Sequence, residues 1–445
     1  MTNPQSTGAA SRWPLPDPRT DDQRERDKEA VRRQVDVLTD ANGDSPTRRR
    51  LADVVDRIQR RQRSAAEGVA TPFVRLGGDR EVLAAEGEVV IRGLVQDPAG
   101  YTRARQVGRG AGLYRPHEAK GVAGLRADVR KLREQNIRAN VNPIVPLGYV
   151  IKGDAYPGLT AARPAFPAAP IDGSVRVAIV DTGLTAEART DSWFDGIRVE
   201  GTDPLNVIAP LDRNDWFAGH GTFTAGIVRQ VAPSAEIAIY RFTGPDGIGT
   251  DTAAADVLRK AVEDGAGRRL IINASFGVPA VDGTPPLALQ DAVEEIAELH
   301  PEVLIVASAG NDGVDELLYP AGFDQPNVIA VGAVREDLTP ADFSNRGPWV
   351  RCSSVGVGVV STFVRGKLPP EDDLGVADLV FGPDAWATWS GTSFTAPQIS
   401  GAVAALCGDD AARTPRQALD LLLEGRQTLA GFGAIVHLLP GTPTT

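Results

Sequence analysis

Four short runs in the 445-residue chain hold side chains that could make or break an acyl bond. VAIVDTG ends an apolar stretch on the carboxylate of Asp181. AGHGTFTAGI sets His220 at the head of a small-residue helical stretch. WSGTSFTAPQISGAVAAL sets Ser393 at the start of another, with Pro397 in its first turn, where proline is tolerated. A serine hydroxyl becomes a nucleophile when a base takes its proton and a carboxylate orients and stabilises the imidazolium. IVASAGND adds the Asn311 amide after a further apolar run, and such a donor can hold the oxyanion of a tetrahedral intermediate.

Each run also has a plainer reading. Asp181 in DTG suits a turn, His220 between two glycines a loop, Ser393 a helix N-cap, and Asn311-Asp312-Gly313 a simple turn. DTG marks aspartic peptidases too, but these need two equivalent aspartates and no second DTG is present.

The elements that must position these residues begin at Ser174. Apolar runs at 175–180, 236–242, 270–274, 303–307 and 328–333 alternate with helix-like stretches at 252–264 and 286–299. This pattern predicts an α/β fold whose mostly parallel central sheet is covered on both faces, with the working site outside the carboxyl ends of the strands. Residues 1–45 are charged, with few large apolar groups, and read as a disordered or loosely helical tail. A small α/β region follows over 46–154. In it Leu51, Val54, Val55 and Ile58 share a helical face, 88–95 reads as a strand, 122–140 as a helix and 141–151 as extended. Residues 155–173, rich in Ala and Pro, read as a linker to a main domain over 174–445.

Taken together, the order Asp, His, Asn, Ser with these flanks resembles the subtilisin-like serine peptidases; the Asp-His-Ser order is an established property of the subtilisins. The resemblance runs from Ser174 to Leu406 and includes Ile271 to Gly277, Tyr319-Pro320, Asn327 to Ala333 and Phe343 to Pro348. It implies a three-layer subtilisin-like fold and a serine endopeptidase working through an acyl-enzyme. Ser393 would be the nucleophile, His220 the general base and acid, and Asp181 the orienting carboxylate. Asn311 and the Ser393 amide would form the oxyanion hole. The other histidines, His117, His300 and His437, lack motif context. The resemblance also implies that Ser275, Phe276 and Gly277 on one side and Gly247, Ile248 and Gly249 on the other pair with an extended substrate. Ala307, Ser308, Ala309 and Gly310 would line the pocket for the residue before the scissile bond.

Two departures stand out. Phe223 and Thr224 follow the histidine where many relatives have His-Val, and only Ile227 to Gln230 separate Gly226 from Val231-Ala232-Pro233. The second implies that the family's calcium loop is absent, so neither a metal nor another cofactor is expected. Residues 361–389 form a longer excursion than the family's minimum, expected as a solvated surface insertion.

Charge sharpens the division. Residues 1–165 hold 29 Lys and Arg against 21 Asp and Glu, whereas 166–445 hold 18 against 37. The net of −11 excludes nucleic acid as the main partner, and the opposed halves predict docking of the basic region on the acidic one. The removable-prodomain reading and a permanent partner-binding module both fit, and cleavage is expected in the linker. Two cysteines form no disulfide framework, the N-terminus has no apolar signal core, and no run is long enough to span a membrane. These features lead to the expectation of a cytoplasmic protein acting on a protein or peptide. A silent peptide-binding scaffold, and a maturation peptidase passing its acyl group to an amine, are the rival readings.

Overall fold

The structure, a computed structural model, describes residues 12–39, 73–76, 82–93, 96–146, 156–207, 211–368 and 379–444. The N-terminal part comprises helix α1 (Asp21–Thr39), strands β1 (Phe73–Leu76), β2 (Val82–Arg92), β3 (Tyr101–Val107) and β4 (Ala111–Pro116), helix α2 (Val122–Glu134) and strand β5 (Arg138–Pro146). A short strand β6 (Gly158–Leu159) leads to β7 (Asp172–Asp181), α3 (His220–Val231), β8 (Ala235–Arg241) and β9 (Ile248–Thr250). Then come α4 (Asp251–Asp264), β10 (Arg269–Ala274), α5 (Leu287–Leu299), β11 (Leu304–Ser308) and β12 (Val328–Val334). β13 (Val350–Val355), β14 (Val359–Thr362), β15 (Trp386–Trp389), α6 (Ala396–Asp409), α7 (Pro415–Leu423) and β16 (Gly433–Ile435) complete the body.

The central sheet runs β16-β13-β12-β11-β10-β7-β8, with short strands 428–429 and 198–200 at its edges. All its pairings are parallel except that of 428–429 with β16. Burial on both faces explains the unbroken apolar runs. Along β7, Val175, Val177 and Ile179 pack with Phe223 of α3 and Val403 of α6, while Ala178 and Val180 pack with Leu258 of α4 and Val293 of α5. The period-two alternation of a strand thus divides its side chains between two helical layers. Observed strands and helices of the body start and stop within a few residues of those read from sequence.

The N-terminal unit is a sheet ordered β5-β2-β4-β3, with β1 on β2. One face packs on α2 through Leu125, Val129 and Leu132; from the other, Val90, Val107, Ala111 and Leu113 meet Ala255 of α4 and Leu287, Ala288 and Ala292 of α5. The sheet continues into the body, because β5 pairs antiparallel with β9.

Several expectations change. The helix expected over 122–140 ends at Glu134, where Asn136 turns the chain with φ 60° and β5 follows. The hairpin β3–β4 escaped a pattern search because all five residues between Tyr101 and Val107 are exposed or partly exposed. Residues 21–39, expected in a disordered or loosely helical tail, form a 19-residue helix with Val31, Val35 and Leu38 buried. The supposed linker is laid on the body: β6 pairs with β15, and Ala162 is buried beside Trp193 and Trp386. The 361–389 excursion sends Phe363 and Phe381 into the core, their rings 4.7 Å apart. The helix expected over 48–63 lies outside the described residues.

Arg176 is among the charged groups inside the body. The fully buried guanidinium of Arg176 on β7 donates to both oxygens of Glu236 at 2.9 Å and to the Asp264 carbonyl at 2.6 Å. Arg176→Ala should lower the unfolding free energy by about 2 kcal/mol, less than an unpaired buried charge costs, because Arg268 still holds Glu236. The shift of a denaturant midpoint at unchanged slope measures it.

Candidate active site

Asp181 ends β7, and His220 opens α3. Both side chains are buried, with His220 Nδ1 2.8 and 2.9 Å from the Asp181 oxygens. A carboxylate only accepts, so the ring proton belongs on Nδ1 and Nε2 is left as the basic nitrogen. Asp181 Oδ1 also accepts the Thr182 N–H at 2.7 Å, and the Thr224 hydroxyl lies 3.4 Å from Oδ2. The glycines flanking His220 are sterically required. A Cβ on Gly219, whose φ is +81°, would meet Phe363 and Val364, and one on Gly221 would lie 2.4 Å from the Gly183 carbonyl oxygen.

Aromatic rings wall the imidazole. Trp389 and Phe394 stand 5.5 and 5.4 Å from its centroid, and Phe223 packs against both. Phe223, part of the first departure, therefore belongs to the wall around the imidazole.

Ser393 occupies a short 3-10 turn, Thr392–Phe394, that feeds α6. Among the described residues its Oγ donates to the Ser275 carbonyl at 3.4 Å rather than to His220. The Ser275 hydroxyl in turn donates to the Ser393 carbonyl at 2.7 Å, and accepts from the Asn273 amide at 2.9 Å. Asn311 is fixed through its oxygen, which accepts the Thr392 N–H at 2.8 Å and the Thr392 hydroxyl at 2.9 Å. A backbone N–H settles the orientation of the amide, so its NH2 faces the other way. The Asn311 nitrogen lies 3.5 Å from where a Cβ on Gly391 would sit, beside the nucleophile turn.

The two expected rails are in different states. Ile248 and Gly249 belong to the edge that β5 covers, with Val145 opposite Gly249, Pro146 opposite Ile248 and Ile144 opposite Thr250, and Gly247 just precedes it. Ser275, Phe276 and Gly277 follow β10, and Phe276 is buried against Phe242 at 4.6 Å. Of the expected pocket residues, Ala307 joins the core under α4 and α5, and Ser308 and Ala309 are buried. Gly310, at φ +110°, has Leu318 and Asn345 where a side chain would go.

Sequence reasoning missed Asp203. Its Oδ2 accepts the Thr182 hydroxyl at 2.9 Å and the Gly219 N–H at 2.8 Å, and its Oδ1 accepts the Leu205 N–H at 2.9 Å. The Thr182 hydroxyl oxygen accepts the Gly221 N–H at 3.1 Å. Asp203 thus ties the loop after Asp181 to both neighbours of His220. No spacing signal marks it; only the fold brings it there.

These features define an α/β fold with a parallel central sheet and a buried Asp–His pair where β7 ends and α3 begins, and the match to known proteins is specific. Residues 172–434 match the model of the subtilase family, and the chain belongs to that family. It is 32% identical over 241 residues to the thermophilic serine proteinase of Bacillus sp. (strain AK1), covering 52% of this chain and 51% of the relative. It is 29% identical over 239 residues to subtilisin BL of Lederbergia lenta, covering 52% of this chain and 75% of that one. The match thus spans about half the length of the Bacillus proteinase. Among solved structures, a lanthipeptide protease aligns with a TM-score of 0.46 at 22% identity, over 59% of this chain and 85% of its own.

Burial pushes the Asp203 carboxyl up to about 6 from an ordinary 3.8, against hydrogen bonds from Gly219, Leu205 and Thr182 that favour the ion. An acid raised in the fold stabilises it below about pH 4 and loses that contribution as pH climbs through about 6. Asp203→Asn sets an NH2 against backbone or hydroxyl donors and should cost about 1–3 kcal/mol at pH 4. The gap to wild type should narrow between pH 4 and 7 in denaturant titrations; a constant gap would separate Asp203 from this linkage.

Proposed function

We propose that the chain is a subtilisin-type serine endopeptidase whose N-terminal sheet unit is the cover of its own cleft. The observation that carries the catalytic reading is the buried Asp181–His220 pair beside an Asn311 amide locked by Thr392. In the reaction, Ser393 Oγ turns from Ser275 to His220, gives its proton to Nε2 and attacks the substrate carbonyl carbon. The oxyanion accepts hydrogen bonds from the Asn311 NH2 and the Ser393 amide. Collapse expels the amine, which takes the proton from His220, and leaves an acyl-enzyme on Ser393. A water activated by His220 then releases the acid and restores the serine.

The reading of the N-terminal unit rests on how it is held. β5 lies antiparallel on the rail at Ile248–Thr250, where an extended substrate would add a strand. Around it, basic side chains meet the acidic body. Arg92 donates to Asp291 at 2.9 Å and Glu294 at 2.7 Å, Arg105 to Asp256 at 2.8 Å, and Arg109 to Glu298 at 3.1 Å. Asp291 is the hub, also accepting from Arg259 at 2.9 Å and from the Gly110 amide at 3.3 Å. The exposed pairs are individually weak, and the apolar patch centred on Leu113 and Ala292 carries the binding. The first cut toward freeing the cleft falls between Pro146 and Tyr156, upstream of most of the linker first expected to be cleaved.

Wild type freed of its cover should label covalently with a fluorophosphonate and Ser393→Ala should not; a folded, uncovered wild type that stays unlabelled would leave the silent-scaffold reading. Asn311→Ala should lower turnover by about 10²–10³. Product mass in the presence of an added amine separates hydrolysis from acyl transfer. For the cover, Arg92→Glu with Arg105→Glu should speed the appearance of activity and weaken its dependence on salt. Wild type that is fully active at full length would sink the cover.

A further inference from the structure

The N-terminal sheet unit and the segment before it are held by different surfaces. Val31, Val35 and Leu38 of α1, together with Trp13, are buried in the same core as α3 and α6. The helix starts on a capping box in which the Thr20 N–H donates to Gln23 Oε1 at 2.9 Å and the Gln23 N–H to Thr20 Oγ1 at 3.3 Å. Ahead of it the buried Arg19 guanidinium donates to the Gly441 carbonyl at 2.6 Å, Thr442 Oγ1 at 2.5 Å and Asp17 Oδ1 at 2.9 Å, and the Leu15 amide to the Leu438 carbonyl at 2.9 Å. Apart from the local Asp17 contact these are bonds to the C-terminal end of the body, whereas the sheet unit meets α4, α5 and β9.

Gln34 reaches closest to the chemistry. Its NH2 donates to the Tyr156 carbonyl at 2.7 Å and the Thr388 carbonyl at 3.0 Å, and its oxygen accepts the Ser390 hydroxyl at 2.8 Å. Ser390 Oγ accepts the Gly358 amide at 2.9 Å and stands three residues before Ser393. One buried amide from α1 therefore spans β15, the start of the nucleophile turn and the chain entering β6.

We propose that residues 12–39 are a permanent part of the catalytic body, an N-terminal clamp that stays docked after the chain is cut beyond β5 and that positions the Ser393 turn through Gln34. A single cut between Pro146 and Tyr156 adds one water across one peptide bond and leaves the sheet unit tethered to the body through residues 40–72. The tether keeps the cover at high effective concentration, so lasting release takes a second hydrolysis on the other side of the unit. The clamp leaves with neither product. Clamp retention is independent of the function proposed above; the cutting agent and the positioning role of Gln34 rest on it.

The retention test needs no activity. In the Ser393→Ala chain, recognition sequences for a site-specific protease are placed within 40–72 and within 147–155, and both are cut. With Ala111→Asp and Leu113→Asp added to break the apolar patch, native mass spectrometry at nanomolar concentration should find the clamp fragment on the body after the sheet unit has dissociated, with both peptides separating under denaturing conditions. Val31→Asp with Val35→Asp should release it. A folded body from which the wild-type clamp fragment has departed overturns the proposal. The positioning role is read kinetically in the active full chain. Gln34→Ala should lower kcat about tenfold with KM within twofold, and adding Ser390→Ala should bring no further loss. Unchanged kcat, or equal losses through KM, overturns that role. Inactive wild type with a retained clamp would instead count against the peptidase reading alone.

Discussion

One carboxylate oxygen sets the geometry on which the site depends. Asp203 Oδ2 holds the Thr182 hydroxyl and the Gly219 amide together, and these belong to the loop after β7 and the residue before α3. Asp181 and His220 sit on rigid elements, but their 2.8 Å contact requires that the end of one and the start of the other keep a fixed offset. The cost is a second acid buried near Asp181, which three donated hydrogen bonds moderate. A hydrophobic residue in its place would pack but would leave the Gly219 N–H without that acceptor.

The same economy governs the nucleophile turn. Thr392 gives its amide and hydroxyl to Asn311, Ser393 exchanges bonds with Ser275, and Ser390 is held by Gln34. The turn has little regular structure of its own, so its shape comes from partners at the ends of β10 and β11 and on α1. Asn311 gains most from this. An amide whose oxygen is committed twice has no reason to flip, so its NH2 is held in one direction, and in the reaction proposed above that is electrostatic preorganisation.

Much of this was legible in the sequence, for physical reasons that differ by element. The body strands were readable because a parallel sheet buried on both faces must be apolar at every position, as in β7 and β11. Asp181, His220, Asn311 and Ser393 were readable because short flanks of glycine and small residues mark close approach; Gly219 and Gly221 show that no other residue would fit. Thr414 and Gln417 declared the start of α7 by a capping box that the structure contains. The same signal at Thr20 and Gln23, with Val31, Val35 and Leu38 one turn or two apart, marked α1 equally well, but the surrounding charge hid it. Asp203 and Gln34 carried no local signal, since each acts mainly on partners distant in sequence.

That distance has a consequence for how the site comes into being. Gln34 and Ser390 are 356 residues apart, and Ser275 and Ser393 are 118 apart. Contacts of this separation close long loops at an entropic cost. The central sheet is built from neighbouring strands joined by crossover helices, whereas the nucleophile turn depends on β10, β11 and α1 together. The rail that β5 pairs with, β9, runs into α4, whose first residue, Asp251, accepts the Ala288 and Leu289 amides of α5. The helices that receive the sheet unit are therefore ordered by the body itself. In this arrangement the nucleophile turn is shaped by the contacts most distant in sequence, and the β9 edge is the one that β5 covers.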